Sequence, residues 1–235
     1  MTPRVAIGML TRLAWLALEV KYLEQAREFY AETLGMDVRS RREREIVFAA
    51  GETDLVCRRP ESYPRGGLHT HYAFSIPYDE YDDWWDRLGE TADLTEHQFG
   101  SATSLYLYDP DGNCVELGQQ RVAGPGIDGI FEVVLEVEDL DRSEQFYADL
   151  GFETADVGDD RRRVRMNGPV ALELWEPHLG LADARGGVHV DLGFEADDPA
   201  RVLEAVGDRV RSVDAETDDR VVVRDPDGHV LTVHS

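Results

Sequence analysis

The chain has 235 residues, 42% of them hydrophobic, with 48 acidic against 24 basic groups and a formal charge of −24. This length suits two compact domains with real apolar cores. The negative surface excludes nucleic-acid backbones and anionic membranes as partners, and the apolar run Leu13 to Leu18 is too short to span a bilayer.

Lys21 is the only lysine, so arginine carries almost all the positive charge. The acidic residues are spread among apolar stretches, not gathered in a tail, a pattern that suits a folded halophilic protein whose self-repulsion is screened by salt. The expected result is an unfolding midpoint that rises with KCl concentration; a midpoint indifferent to KCl overturns this reading. Cys57 and Cys114 are too few and too distant in sequence to make a disulfide framework, and no export signal is evident, so a reducing, cytoplasmic location is expected.

In chain order, residues 13–20 alternate as a strand with one buried face does, and a helical pattern over 23–34 follows, closing at Leu34-Gly35. The same sequence of signals returns as strand 70–76 and helix 80–88, strand 130–137 and helix 140–150, and strand 189–196 and helix 199–206. Short strands come after each helix, separated by reversals such as Asn167-Gly168 and Asp109-Pro110-Asp111-Gly112. The repeating unit is therefore βαβββ, used four times.

Laying the chain against itself pairs Phe29-Tyr30 with Phe146-Tyr147, Leu34-Gly35 with Leu150-Gly151, Gly66-Gly67-Leu68-His69 with Gly186-Gly187-Val188-His189, and the two Asp-Pro-Asp-Gly turns at Asp109 and Asp225. The halves meet near Ala123-Gly124-Pro125-Gly126. The expected domains are residues 1–122, with modules at about 13–60 and 67–120, and residues 127–235, with modules at about 129–177 and 187–235.

Period-two alternation sorts each first strand into faces. Leu16, Leu18 and Val20 point toward the helices, as do Tyr72, Phe74 and Ile76, Val133, Leu135 and Val137, and Val190, Leu192 and Phe194. Tyr81, Trp84, Trp85 and Leu88 answer from the second helix. The open faces then present Trp15, His71, Glu132 and Asp191.

Together, the four modules, the Phe-Tyr…Leu-Gly helix ends, Gly-Gly-x-His before an Ala-Phe strand and Asp109-Pro110-Asp111-Gly112-Asn113-Cys114-Val115-Glu116-Leu117 resemble the vicinal oxygen chelate superfamily of glyoxalases, extradiol dioxygenases and fosfomycin-resistance enzymes. The resemblance implies an α+β fold in which four βαβββ modules pair into two concave mixed β-sheet domains with helices outside. It also implies a divalent metal (Fe, Mn, Zn or Ni) held by residues of the first and last strands of paired modules. Carried over to the first half, those positions are Trp15, Val56, His71 and Glu116, of which His71 and Glu116 are the metal ligands. Val56 and Trp15 depart from the ligand sets of the family.

Either His69, two residues before His71 on the same face, or His97 completes the set; His69 is also the candidate general base. Trp15 and Cys114 are substrate-binding candidates. In the second half the aligned positions are Glu132, Glu173, Asp191 and Thr232, a carboxylate cluster that needs a cation or the guanidinium groups of Arg163 and Arg165; His189 and His234 share its faces. The Arg39 to Arg44 run reads as a solvated strand or turn, and the Asp-Pro-Asp-Gly segments read as β-turns, since they lack the spaced oxygens of a calcium loop.

The reading is a metal-dependent enzyme on a small oxygen-rich molecule, of the glyoxalase or dioxygenase type, monomeric or homodimeric. The alternative is a metal-free protein that binds or sequesters a small molecule, with a degenerate site.

Overall fold

The computed structural model describes residues 9–60, 71–159, 162–176 and 190–235. The first module comprises β1 (Arg12–Glu19), α1 (Leu23–Arg27) prolonged by a π-helical turn (Glu28–Thr33), β2 (Val38–Arg41), β3 (Glu45–Ala50) and β4 (Thr53–Arg58). The second has β5 (His71–Pro77), α2 (Tyr81–Gly89), β6 (Thr95–Phe99), β7 (Ala102–Tyr108) and β8 (Cys114–Gln120). The third has β9 (Ile130–Glu136), α3 (Leu140–Asp149), β10 (Glu153–Val157), β11 (Arg163–Asn167) and β12 (Ala171–Trp175). The fourth has β13 (Asp191–Glu195), α4 (Ala200–Val206), β14 (Ser212–Thr217), β15 (Arg220–Arg224) and β16 (Val230–His234).

The βαβββ order is thus present four times, as the alternation and turn residues predict. Gly35 and Gly151, with φ of 72° and 100°, end their helices in the left-handed conformation that a side chain disfavours. The helix-facing residues of the four first strands are all buried. One expectation is corrected: Trp84 is buried but Trp85 is exposed, because consecutive helical residues point about 100° apart and cannot share one narrow apolar stripe.

The strands form two eight-stranded sheets. One runs β14-β15-β16-β13-β1-β4-β3-β2 and the other β10-β11-β12-β9-β5-β8-β7-β6. The first sheet therefore joins the first and fourth modules through antiparallel β1 and β13, and the second joins the middle two through antiparallel β5 and β9. Each half of the sequence contributes one module to each sheet.

The repeated motifs explain how the modules lock together. The Tyr30 hydroxyl, from the first module's helix, donates to Asp109 Oδ2 of the second module's Asp-Pro-Asp-Gly turn at 2.6 Å, and Tyr147 donates to Asp225 Oδ2 at 2.7 Å. Tyr30 also shares a hydrogen bond with Tyr72 of β5 and packs against Phe48 of β3, so its side chain bridges the two sheets. The other oxygen of each aspartate closes its own turn: Asp109 Oδ1 accepts from the backbone N–H groups of Asp111 and Asn113, and Asp225 Oδ1 from those of Asp227, Gly228 and His229. The β-turn reading of these segments is the one the geometry supports. Among the described residues, no helix is long and apolar enough to cross a membrane.

Candidate metal centre

Four adjacent strands at the middle of the second sheet, β12, β9, β5 and β8, carry Glu173, Glu132, His71 and Glu116. Ala73 of β5 stands opposite Glu116 on one side and Glu132 on the other. Strands flanking a common neighbour are separated by about 10 Å. The side chains nevertheless lean together over β5, and one ligand atom each from His71, Glu116 and Glu132 fall within 4.8 Å of one another. His71 Nε2 lies 3.2 Å from Glu116 Oε2. Two donors bound to one ion at about 2.1 Å are themselves about 3 Å apart, so this spacing is that of neighbouring ligands.

Burial sharpens the point. His71, Glu116 and Glu132 are only 4%, 4% and 5% exposed, and carboxylates are seldom so enclosed unless paired or bound to a cation. His71 Nδ1 is buried and, among the described residues, has no hydrogen-bond partner. An orphaned buried polar atom costs about 1–3 kcal/mol. The donor set of one imidazole and neighbouring carboxylates fits Mn, Fe, Ni or Zn.

Two aromatic rings hold the imidazole. Tyr106 of β7 and Trp175 of β12 stack with His71 at centroid distances of 5.8 and 6.3 Å and interplanar angles of 18° and 17°. Tyr106 also hydrogen-bonds Glu116; burial, and then the Glu116 charge, push its phenol well above its ordinary range, so it remains a donor. Trp175 Nε1 donates to Glu173 Oε2 at 2.8 Å.

Arginines from β11 close the third-module side. Arg163 Nη1 donates to Glu173 Oε1 at 2.8 Å, and Arg165 Nη1 contacts Glu132 directly and lies 3.5 Å from Glu173 Oε1. These are the arginines whose alternation pointed to this face. They offset part of the charge of Glu116, Glu132 and Glu173.

Several expected groupings are corrected by the sheet order. Trp15 and Val56 do not share a cavity with His71 and Glu116, because β1 and β4 belong to the other sheet. Glu132, Glu173 and Asp191 do not form one cluster, since Asp191 also lies in that other sheet, where Arg58 Nη2 clamps it at 2.6 Å. There the equivalent positions are Thr232, Asp191, Trp15 and Val56. Trp15 lies flat across Gly193, where a Cβ would come within 2.1 Å of the indole, and stacks on His234 at 5.1 Å. Glycine at that position makes room for the ring, so tryptophan fills the surface that a ligand set would otherwise occupy.

Among the described residues, the group that joins His71 and Glu116 within reach of one ion is Glu132, contributed by the other half of the chain. His97 is exposed and set edge-on to Tyr106 at 5.2 Å; His69 and His189 lie outside the described residues. Cys114 neighbours His71 across β5 and β8, but burial, then Glu116, push its thiol up to about 12. It is therefore a thiol at neutral pH, not the thiolate that a soft metal would require. In the native protein Cys114 should resist a disulfide reagent from pH 7 to 9 and react only after denaturation; rapid native labelling would overturn this assignment.

Sequence reasoning missed Tyr106, Trp175 and Arg58, which no motif marks. Glu132 was already on the open face by alternation; what was missing was which module stands beside it.

Residues 12–117 match the Glyoxalase/Bleomycin resistance protein/Dioxygenase superfamily. This stretch, somewhat under half of the chain, is similar to that superfamily. A metallothiol transferase FosB of Staphylococcus haemolyticus is 26% identical over 116 residues, covering 46% of this chain and 84% of that protein. Among solved structures, a putative dioxygenase from Bacillus subtilis superposes with a TM-score of 0.74 at 16% identity, over 97% of this chain and 86% of that one. Glyoxalase I from Zea mays gives 0.67 at 17% identity, over 95% and 92%. The structural likenesses extend the vicinal oxygen chelate fold across both halves of the chain.

Proposed function

We propose that this vicinal oxygen chelate protein is a metal-dependent enzyme acting on a small oxygen-rich molecule in the bay of the second sheet. The observation that carries the reading is the convergence of buried His71, Glu116 and Glu132 donors within 4.8 Å. These three residues would hold the ion, with Glu173 beside them. When bound, a divalent metal supplies Lewis acidity to adjacent substrate oxygens.

The protein's own groups set the geometry. Tyr106 orients Glu116 through its hydroxyl, and the rings of Tyr106 and Trp175 fix the plane of His71. Glu173 is held through both oxygens, by Arg163 on one and the Trp175 indole on the other, so its carboxylate is fixed in place.

The second reading is a metal-free binding protein. Its support is specific: Glu132 and Glu173 already have guanidinium partners. The two readings part on metal content. Protein purified in concentrated KCl, stripped with chelator and dialysed against Mn, Zn, Ni or Fe(II) should retain about one ion per chain if the first is correct. Retention of none of these metals overturns it in favour of the second.

A further inference from the structure

Arg165 has no place in a simple ligand set, yet it touches the third donor. Its guanidinium sits on Glu132 and lies 3.5 Å from Glu173, while its side chain remains 32% exposed. It comes from β11, where Arg165 stands opposite Glu173 in register. Three carboxylates, Glu116, Glu132 and Glu173, thus face two guanidinium groups, and only one of these, from Arg165, contacts a member of the buried donor triad.

We propose that Arg165 is a built-in counter-cation that a metal displaces, and that the freed guanidinium then receives an anionic group of the substrate. This rests on the metal-centre reading above. A cation bound to Glu132 and the Arg165 guanidinium compete for the same carboxylate, because the guanidinium N–H and an ion both draw on its lone pairs. The partial exposure of Arg165 gives it a route outward to water. Once released, it stands beside Glu173, where an anion would otherwise face carboxylates offset only in part by Arg163. The substrate class this favours is a small carboxylate with a neighbouring oxygen, such as a 2-oxo or 2-hydroxy acid, whose paired oxygens chelate while a remaining oxygen meets the fork. Metal therefore binds first and substrate second, and Arg165 links the two events.

Calorimetric titration of metal-free protein with MnCl2 alone tests the first half, comparing wild type with Arg165→Met and Arg163→Met. If Arg165 holds Glu132 in about nine molecules of ten, removing it tightens Mn binding about tenfold. Arg163→Met is the charge control. It deletes the same charge but touches Glu173 and Asp156, not Glu132, and should tighten Mn binding clearly less than Arg165→Met does. Oxalate, a chelating dianion with spare oxygens, tests the second half: the Mn-loaded Arg165→Met protein should bind it about tenfold or more weakly than Mn-loaded wild type.

Equal Mn affinity in wild type and Arg165→Met overturns displacement while leaving the metal centre intact. So does equal tightening by both arginine variants, which would mark a general charge effect. Unchanged oxalate affinity overturns the substrate role. Retention of none of Mn, Zn, Ni or Fe(II) by wild type in the dialysis above instead removes the metal-centre reading itself. Should Arg165→Met fail to fold by circular dichroism, Arg165→Gln carries the same comparisons.

Discussion

Glu132→Gln should abolish metal retention as fully as His71→Ala or Glu116→Gln, although Glu132 lies in the opposite half of the chain. Its carboxylate reaches the same point from β9 that Glu116 reaches from β8, with β5 between them. Loss of a mere outer partner weakens metal binding by about 10–100-fold, and loss of a donor should exceed the upper figure. Trp15→Phe and Asp191→Asn, on the other sheet, should leave binding unchanged. Equilibrium dialysis with metal analysis of the five variants checks this. A Glu132→Gln protein that keeps wild-type affinity while His71→Ala loses it would sink the shared site and return the centre to residues of the second module alone.

The largest stability effect should come from Asp109→Ala. That carboxylate accepts four hydrogen bonds, from the Tyr30 hydroxyl, Asn113 Nδ2 and the backbone N–H groups of Asp111 and Asn113. Deleting it leaves these donors without their acceptor, and at about 1–3 kcal/mol for each buried orphan the total should be about 3 kcal/mol or more. Asp225→Ala should behave similarly, because Tyr147 and the fourth module's turn repeat the arrangement. Denaturant unfolding in concentrated KCl measures both; midpoints equal to wild type would refute this account of the repeated motifs. Asp109→Asn keeps an oxygen for the turn amides and should lose less.

The same residue carries a pH signature. Burial raises the Asp109 carboxyl above its ordinary value, against the pull of its hydrogen bonds. The folded state thus holds this proton more tightly than the unfolded chain. Its contribution is fully present below the ordinary carboxylate range and is lost as pH rises through the raised folded value. At neutral pH the ionised group is retained at a cost offset by its four donors, so titration of Asp109 by itself does not make acid destabilising.

Much of the architecture was legible from residue order. Alternation in Leu16, Leu18 and Val20 and its three counterparts assigned a buried side to every first strand, and those residues are buried. Glycine at positions 35 and 151 marked two helix ends through a backbone conformation that other residues disfavour. His71 and Glu116 were legible as a pair because they stand on neighbouring strands of a single module, so local chain geometry alone brings them together.

The approach of Glu132 to that pair was not legible, and the reason is physical. Backbone hydrogen bonds along the free edge of β5 are chemically the same whether β1 or β9 supplies the partner. The choice rests on the summed packing of the opposite faces, where Tyr30 reaches across to Tyr72 and Asp109, and no local pattern encodes that sum. Sequence by itself determined four modules, their turns and the face each side chain presents. Tertiary structure decided which modules share a sheet, and therefore that His71 faces Glu132 while Trp15 is left to cover Gly193.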